Sequence, residues 1–159
     1  MNKLILRDAI LAQLRAELAR QTRAAWLARD EATNEESRAE SKYDTHGQEA
    51  AYLAEGQARL AVEVEESISL YATLALPDFA PDGAIALGAL VGVESSTGPM
   101  WYFLGPRAGG LELEVGGQKI LVVTPASPLG RQLLGRHRGD SIAAPGKTPA
   151  AALRIVAVS

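Results

Sequence analysis

Residues Ala126 to Ile142 read ASPLGRQLLGRHRGDSI, and the order of parts in that stretch organises the rest of the chain. Ser127-Pro128 is a turn. Leu129, Leu133 and Leu134 recur at helical spacing, so one or two helical turns would lay these leucines on a sheet. Gly139-Asp140 is a second turn. Such a module needs strands around it, and the neighbouring sequence supplies them. AIALGALVGVE (84–94), MWYFLG (100–105), QKILVVT (118–124), SIAA (141–144) and ALRIVAV (152–158) are strand-like runs, punctuated by Gly-Pro, Gly-Gly and Pro-Gly pairs. Residues 84–159 therefore read as a small α+β domain of roughly 75 residues, enough for one folding unit.

Upstream the composition changes. LPDFAPDGA (76–84) carries Pro77, Pro81 and Gly83, which end a helix and make residues 77–83 a linker. From Leu4 to Leu76 there is no proline, and glycine occurs only at Gly47 and Gly56. Apolar residues recur three and four apart at Leu4, Leu11, Leu14, Leu18 and Ala25, then at Ala50, Leu53, Leu60, Val64, Tyr71 and Leu74. Two narrow apolar stripes separated by the polar stretch RDEATNEESRAESKYDTHGQE (29–49) are buried most simply if the chain folds back on itself. Residues 1–76 are thus expected to form an antiparallel helical hairpin, each arm about 45 Å long at 1.5 Å per residue. An intramolecular hairpin also predicts a monomer.

The hairpin tip, around residues 30–49, is acidic. Glu35, Glu36, Glu40 and Asp44 lie in it, and Glu36 and Glu40 are four apart, so on a helix they share a face and repel unless something positive lies between them. Two such carboxylates suit a hard cation such as Mg²⁺; a solvated end whose acids keep the chain soluble is the competing explanation. Arg15, Arg20, Arg23 and Arg29 on the first arm would follow a phosphate backbone, or form a solvated helix face.

Charge is unevenly divided. Residues 1–76 hold 13 acids against 9 bases, while residues 97–159 hold 3 acids against 7 bases. That asymmetry points to a macromolecular partner rather than a small substrate. The chain has no cysteine, which removes disulfides, thiolate metal sites and cysteine nucleophiles and fits a reducing cytoplasm. No signal-peptide core or membrane-length apolar run is present. Nucleotide loops, dinucleotide fingerprints, GxSxG and His-based metal spacing are all missing. GPRAGG (105–110) lacks the Lys-Ser/Thr of a phosphate loop and reads as a turn. Trp101-Tyr102-Phe103 reads as alternating burial in a strand rather than a stacking platform, and His137 as a surface residue.

At this point the residues resemble a known family, the Gre-type transcription elongation factors (GreA/GreB). SPLGRQLLGRHRGD is similar to that family's Ser-Pro-apolar-small signature closing on Gly-Asp. GALVGVE, WYFLGP, LRIVAV and the returning arm EGQARLAVEVEESI fit the frame around it. The resemblance implies a coiled-coil hairpin followed by an FKBP-like domain. It implies binding to RNA polymerase, with Ala126, Ser127, Pro128, Leu129 and Arg131 at the docking surface and the hairpin in the secondary channel. Near the nascent RNA 3′ end the tip carboxylates would help hold a Mg²⁺ shared with the polymerase, whose own active site cleaves backtracked transcripts. The protein itself would be neither an enzyme nor a holder of a cofactor alone. The family's tip reads Gly-Asp-x-x-Glu-Asn-Ala-x-Tyr. Counting back from Tyr43, Glu36 falls on its Asp, Ala39 on its Glu, and Glu40 one residue beyond. Three alternatives follow: a channel-occupying regulator without cleavage, a peptidyl-prolyl isomerase, and a dimerising coiled-coil adaptor.

Overall fold

Two long helices come first, α1 (Lys3–Thr33) and α2 (His46–Ala72). The computed structural model describes residues 2–33, 46–80, 82–95, 98–143 and 152–159. The chain divides into two compact units. One is Met1–Ile10 with Leu70–Ser159; the other is Leu11–Ser69. α1 leaves the first unit after Ile10 and α2 returns to it at Leu70, the chain course that a hairpin requires.

The partly or fully buried positions of α1 include Lys3, Arg7, Ile10, Leu14, Glu17, Gln21, Ala24 and Ala28. They are spaced alternately by four and three residues. In α2, Ala54, Gln57, Ala61, Val64, Ile68 and Tyr71 repeat the same alternation. This 3.5-residue period is that of a coiled-coil seam. It corrects the stripe expected from apolar residues alone. Leu11, Leu14 and Tyr71 are buried and Leu18, Ala25, Val64 and Leu74 partly so. Leu4, Leu53 and Leu60, however, are 52%, 54% and 44% exposed. Leu53 and Leu60 precede Ala54 and Ala61 by one residue, about 100° around the helix, and so lie beside the seam rather than in it. Ala50 belongs to α2, but its side chain lies outside the described part.

After α2 come β1 (Leu90–Ser95), β2 (Gly98–Leu104), β3 (Glu112–Val115), β4 (Gln118–Val123), α3 (Pro128–Leu133), β5 (Ser141–Ala143) and β6 (Ala152–Val158). The strands form one mixed sheet in the order β3-β4-β2-β1-β6-β5. β2 and β4 are parallel, with Trp101 opposite Ile120 and Leu104 opposite Val123; the other pairs are antiparallel. The architecture is α+β, as expected, with two adjustments. Residues 84–89 are not strand: Ile85 N–H donates to Arg136 O (2.7 Å) and Gly88 N–H to Leu104 O (2.8 Å), so this segment laces loops together. β3 was not anticipated. It alternates exposed Glu112 and Glu114 with buried Leu113 and Val115, and reaches β4 through Gly116-Gly117, both at positive φ (61° and 74°), which suits a two-residue hairpin turn.

One face of the sheet presents Val91, Val93, Tyr102, Leu104, Val123 and Ile155 to Leu129 and Leu133 of α3, with Ile85 and Ile142 closing the cluster. Each fully buried aliphatic side chain here contributes about 1.5–3 kcal/mol. By strand alternation Leu90, Phe103, Ile120 and Val122 point the other way, and they are buried too. The end of α2 reaches this second layer, where Tyr71 is fully buried and its hydroxyl donates to Arg107 O at 2.8 Å.

Burial pushes the Tyr71 hydroxyl well above the usual tyrosine range. Above about pH 10 the unfolded chain therefore loses a proton that the folded chain keeps, and stability falls as pH rises. Relative to Tyr71→Phe, the wild type should lose roughly 1.4 kcal/mol between pH 9 and pH 11. Urea midpoints measured at both pH values check this, and parallel losses in the two proteins would count against it. Lys3 works in the opposite sense, because burial lowers its pKa against an opposing pull from Asp78. The residue is 8% exposed, and its ammonium donates to Pro77 O and lies 4.9 Å from the Phe79 ring centroid. The proline-rich segment after α2 is thereby tied to the first turn of α1.

Candidate functional site

The Ser-Pro module is one hydrogen-bonded unit. Ser127 has extended backbone (φ −71°, ψ 153°) and caps α3, its Oγ accepting from Gly130 N–H at 3.0 Å. The same hydroxyl donates to Thr124 O at 2.8 Å, and Ser127 N–H donates to that carbonyl at 2.9 Å. Pro128 occupies the first turn, where its missing N–H costs nothing. Gly130 is required by contact: a Cβ there would lie 1.9 Å from Thr124 O. The short helix is thus pressed against the end of β4.

This packing sorts the expected docking residues. Leu129 is 9% exposed and belongs to the core cluster. Ser127 is half-buried and committed to the cap, whereas Ala126, Pro128 and Arg131 are exposed. The surface on offer is a proline, a small residue and a guanidinium, held by a rigid turn. Gln132 is used internally, its Oε1 accepting from Ala143 N–H at 2.8 Å.

Arg15, Arg20, Arg23 and Arg29 are all exposed on α1. Arg20 is paired with Glu17 (Nε–Oε2 3.0 Å), and Glu17 is further held by Gln21. These bonds lower the Glu17 pKa, the Gln21 bond most, then Arg20. Glu35, Glu36, Glu40 and Asp44 lie outside the described residues. Among the described residues no group of three or more His, Cys, Asp or Glu could hold a metal ion. Nor is any described helix long and apolar enough to cross a membrane.

Trp101, Tyr102 and Phe103 offer no stacking platform, since Phe103 is fully buried and Tyr102 is 6% exposed. His137 is exposed, with its N–H on Asp140 Oδ2 at 2.9 Å. A groove of about 620 Å³ beside β3, lined by Met100, Trp101, Tyr102, Glu112, Glu114 and Leu121 among others, was missed by sequence reasoning. Its one signal is the Gly116-Gly117 pair, a hairpin turn that implies a strand before it.

The geometry of a helix pair, a six-stranded sheet and a capped Ser-Pro module can be set beside known proteins. Solved structures similar to this chain include Gre-type transcription factors. The GreA factor homolog 1 (Gfh1) of Thermus thermophilus is 20% identical, with 94% of each chain covered and a TM-score of 0.40. Gfh1 of Thermus aquaticus is 21% identical over 95% of this chain and 92% of its own, with a TM-score of 0.38. The transcription elongation factor GreA/GreB from Nitrosomonas europaea is 20% identical over 70% of this chain and 92% of its own, with a TM-score of 0.36. No protein-family model matches the chain, and no curated protein matches it in sequence.

Proposed function

We propose that this chain is an RNA polymerase-binding transcription elongation factor. Its helical pair would enter the secondary channel, and its tip would stimulate cleavage of backtracked transcripts by the polymerase. The observation that carries the reading is the Ser127-Pro128-Leu129-Gly130 module. Every element of the signature has a job in it: the serine caps, the proline starts the helix, the leucine fills the core and the glycine permits close approach to Thr124. The shaft supports it as well, because a 3.5-residue seam makes a stiff antiparallel pair from a chain with few large apolar residues in the interface. Glu36 and Glu40 are the residues that would contribute carboxylate oxygens to a Mg²⁺ shared with the polymerase, where such ligands favour metal-assisted hydrolysis.

A second reading has one feature in its favour: Ala39 stands where the resemblance expects a carboxylate. If Glu40 does not replace it, the chain occupies the channel and modulates initiation or pausing without promoting cleavage. The deciding experiment is transcript shortening by a stalled, backtracked polymerase complex, with polymerase binding measured in parallel. Wild type is expected to shorten the RNA, and Glu36→Ala/Glu40→Ala to slow it about a hundredfold or more with binding unchanged. Binding without cleavage by either protein selects the regulator, and absence of binding by both overturns the polymerase reading.

A further inference from the structure

Four arginines lie on the surface of the Leu70–Ser159 segment around the end of α3: Arg131, Arg136, Arg138 and Arg154, all exposed. Backbone hydrogen bonds hold the segments that carry them together. Arg136 N–H donates to Leu133 O at 3.0 Å, tying it to α3. Gly139 N–H donates to Ile155 O at 2.8 Å and Ile155 N–H to Asp140 O at 2.9 Å, which sets the loop of Arg138 beside β6 and Arg154. A Cβ at Gly139 would lie 4.0 Å from Arg154 Nη2. None of the four arginines is in an ion pair among the described residues. The acid within this loop, Asp140, is occupied by the His137 N–H. Between Arg131 and Arg136 along the chain is Leu134, 47% exposed although its neighbour Leu133 is fully buried.

The chemistry of the patch selects its partner. Guanidinium forks match carboxylates and phosphates alike. Nucleic acid is disfavoured by one observation: no exposed aromatic ring accompanies the arginines among the described residues, so there is no base-stacking platform. An exposed leucine among arginines is instead the composition of a protein interface, an apolar contact with charged residues about it. We propose that Arg131, Arg136, Arg138 and Arg154, together with Leu134, form a docking surface for a carboxylate-rich face of a partner protein. Identifying that partner as RNA polymerase rests on the function proposed above; the carboxylate chemistry does not.

The test compares full-length wild type with Arg136→Glu/Arg138→Glu, exposed sites where charge reversal leaves the core untouched. Three probes are used: poly-L-glutamate, single-stranded RNA with duplex DNA, and core RNA polymerase. Wild type should bind poly-L-glutamate at low salt, more tightly than either nucleic acid, and the variant about tenfold or more weakly. Polymerase affinity should fall by a similar factor in the variant and lose part of its salt dependence. Preference for nucleic acid, failure to bind poly-L-glutamate, or poly-L-glutamate binding that the variant keeps undiminished each overturns the proposal. Arginine-dependent poly-L-glutamate binding by a wild type that ignores polymerase would leave the surface standing and remove the polymerase as its partner.

Discussion

Gly130→Ala should lower the stability of the chain by about 3 kcal/mol or more. The added methyl would lie 1.9 Å from Thr124 O and 2.7 Å from Thr124 C, and both are backbone atoms that no rotamer change can move. Either α3 lifts from the end of β4 or the Thr124 carbonyl turns away. The first exposes Leu129 and Leu133, which the core cluster needs. The second breaks the two hydrogen bonds that this carbonyl accepts from Ser127. Ser127→Ala is the control, because it removes the cap while leaving the close approach intact, and should cost only about 1 kcal/mol. Urea unfolding of the two variants beside wild type separates the effects. A Gly130→Ala protein as stable as Ser127→Ala would show that the contact is not made, and the glycine of the signature would then need another explanation.

Gly105→Ala is expected to be comparably damaging, by about 3 kcal/mol, through a partner 34 residues away in sequence. Its Cβ would lie 2.1 Å from the Tyr71 hydroxyl, 3.0 Å from Tyr71 Cζ and 3.1 Å from Val122 Cγ1. Tyr71 cannot yield cheaply, being fully buried with its hydroxyl bonded to Arg107 O. Tyr71→Phe alone should cost about 1 kcal/mol, the usual worth of one such hydrogen bond. Combined with Gly105→Ala it removes the atom that clashes hardest, so the double variant should be more stable than the sum of the single losses by about 1 kcal/mol or more. Additivity within about 0.5 kcal/mol would mean that the two residues do not meet.

Much of the sheet was legible because its strands are apolar and separated by turn residues. α3 was legible because Ser-Pro and the leucine spacing act locally. β3 escaped because half of it is glutamate and its buried half is two residues, so neither a run nor a long alternation marks it. The seam was legible in part, through Leu11, Leu14, Leu18, Ala25, Val64 and Tyr71; but Lys3, Glu17 and Gln21 share heptad positions with Ile10 and Leu14, Gln57 shares one with Val64 and Tyr71, and Leu53 and Leu60 sit one residue off. Period, rather than hydrophobicity, was the informative quantity. The Tyr71–Gly105 pair was beyond sequence reasoning, since nothing local relates a helix end to a turn so far along the chain. At the tip the sequence names the carboxylates but not their aim.

The seam also changes character along its length. Near Ile10, Leu14, Val64 and Tyr71 it is filled by large side chains, whereas near Ala24, Ala28, Ala54 and Ala61 it is filled by methyl groups. At about 0.8 kcal/mol per buried CH₂, the two ends of the same interface differ by several kcal/mol in the free energy of local opening. The apolar surface buried per helical turn therefore falls from the Ile10 and Tyr71 end toward Ala28 and Ala54, and with it the free energy that resists local opening.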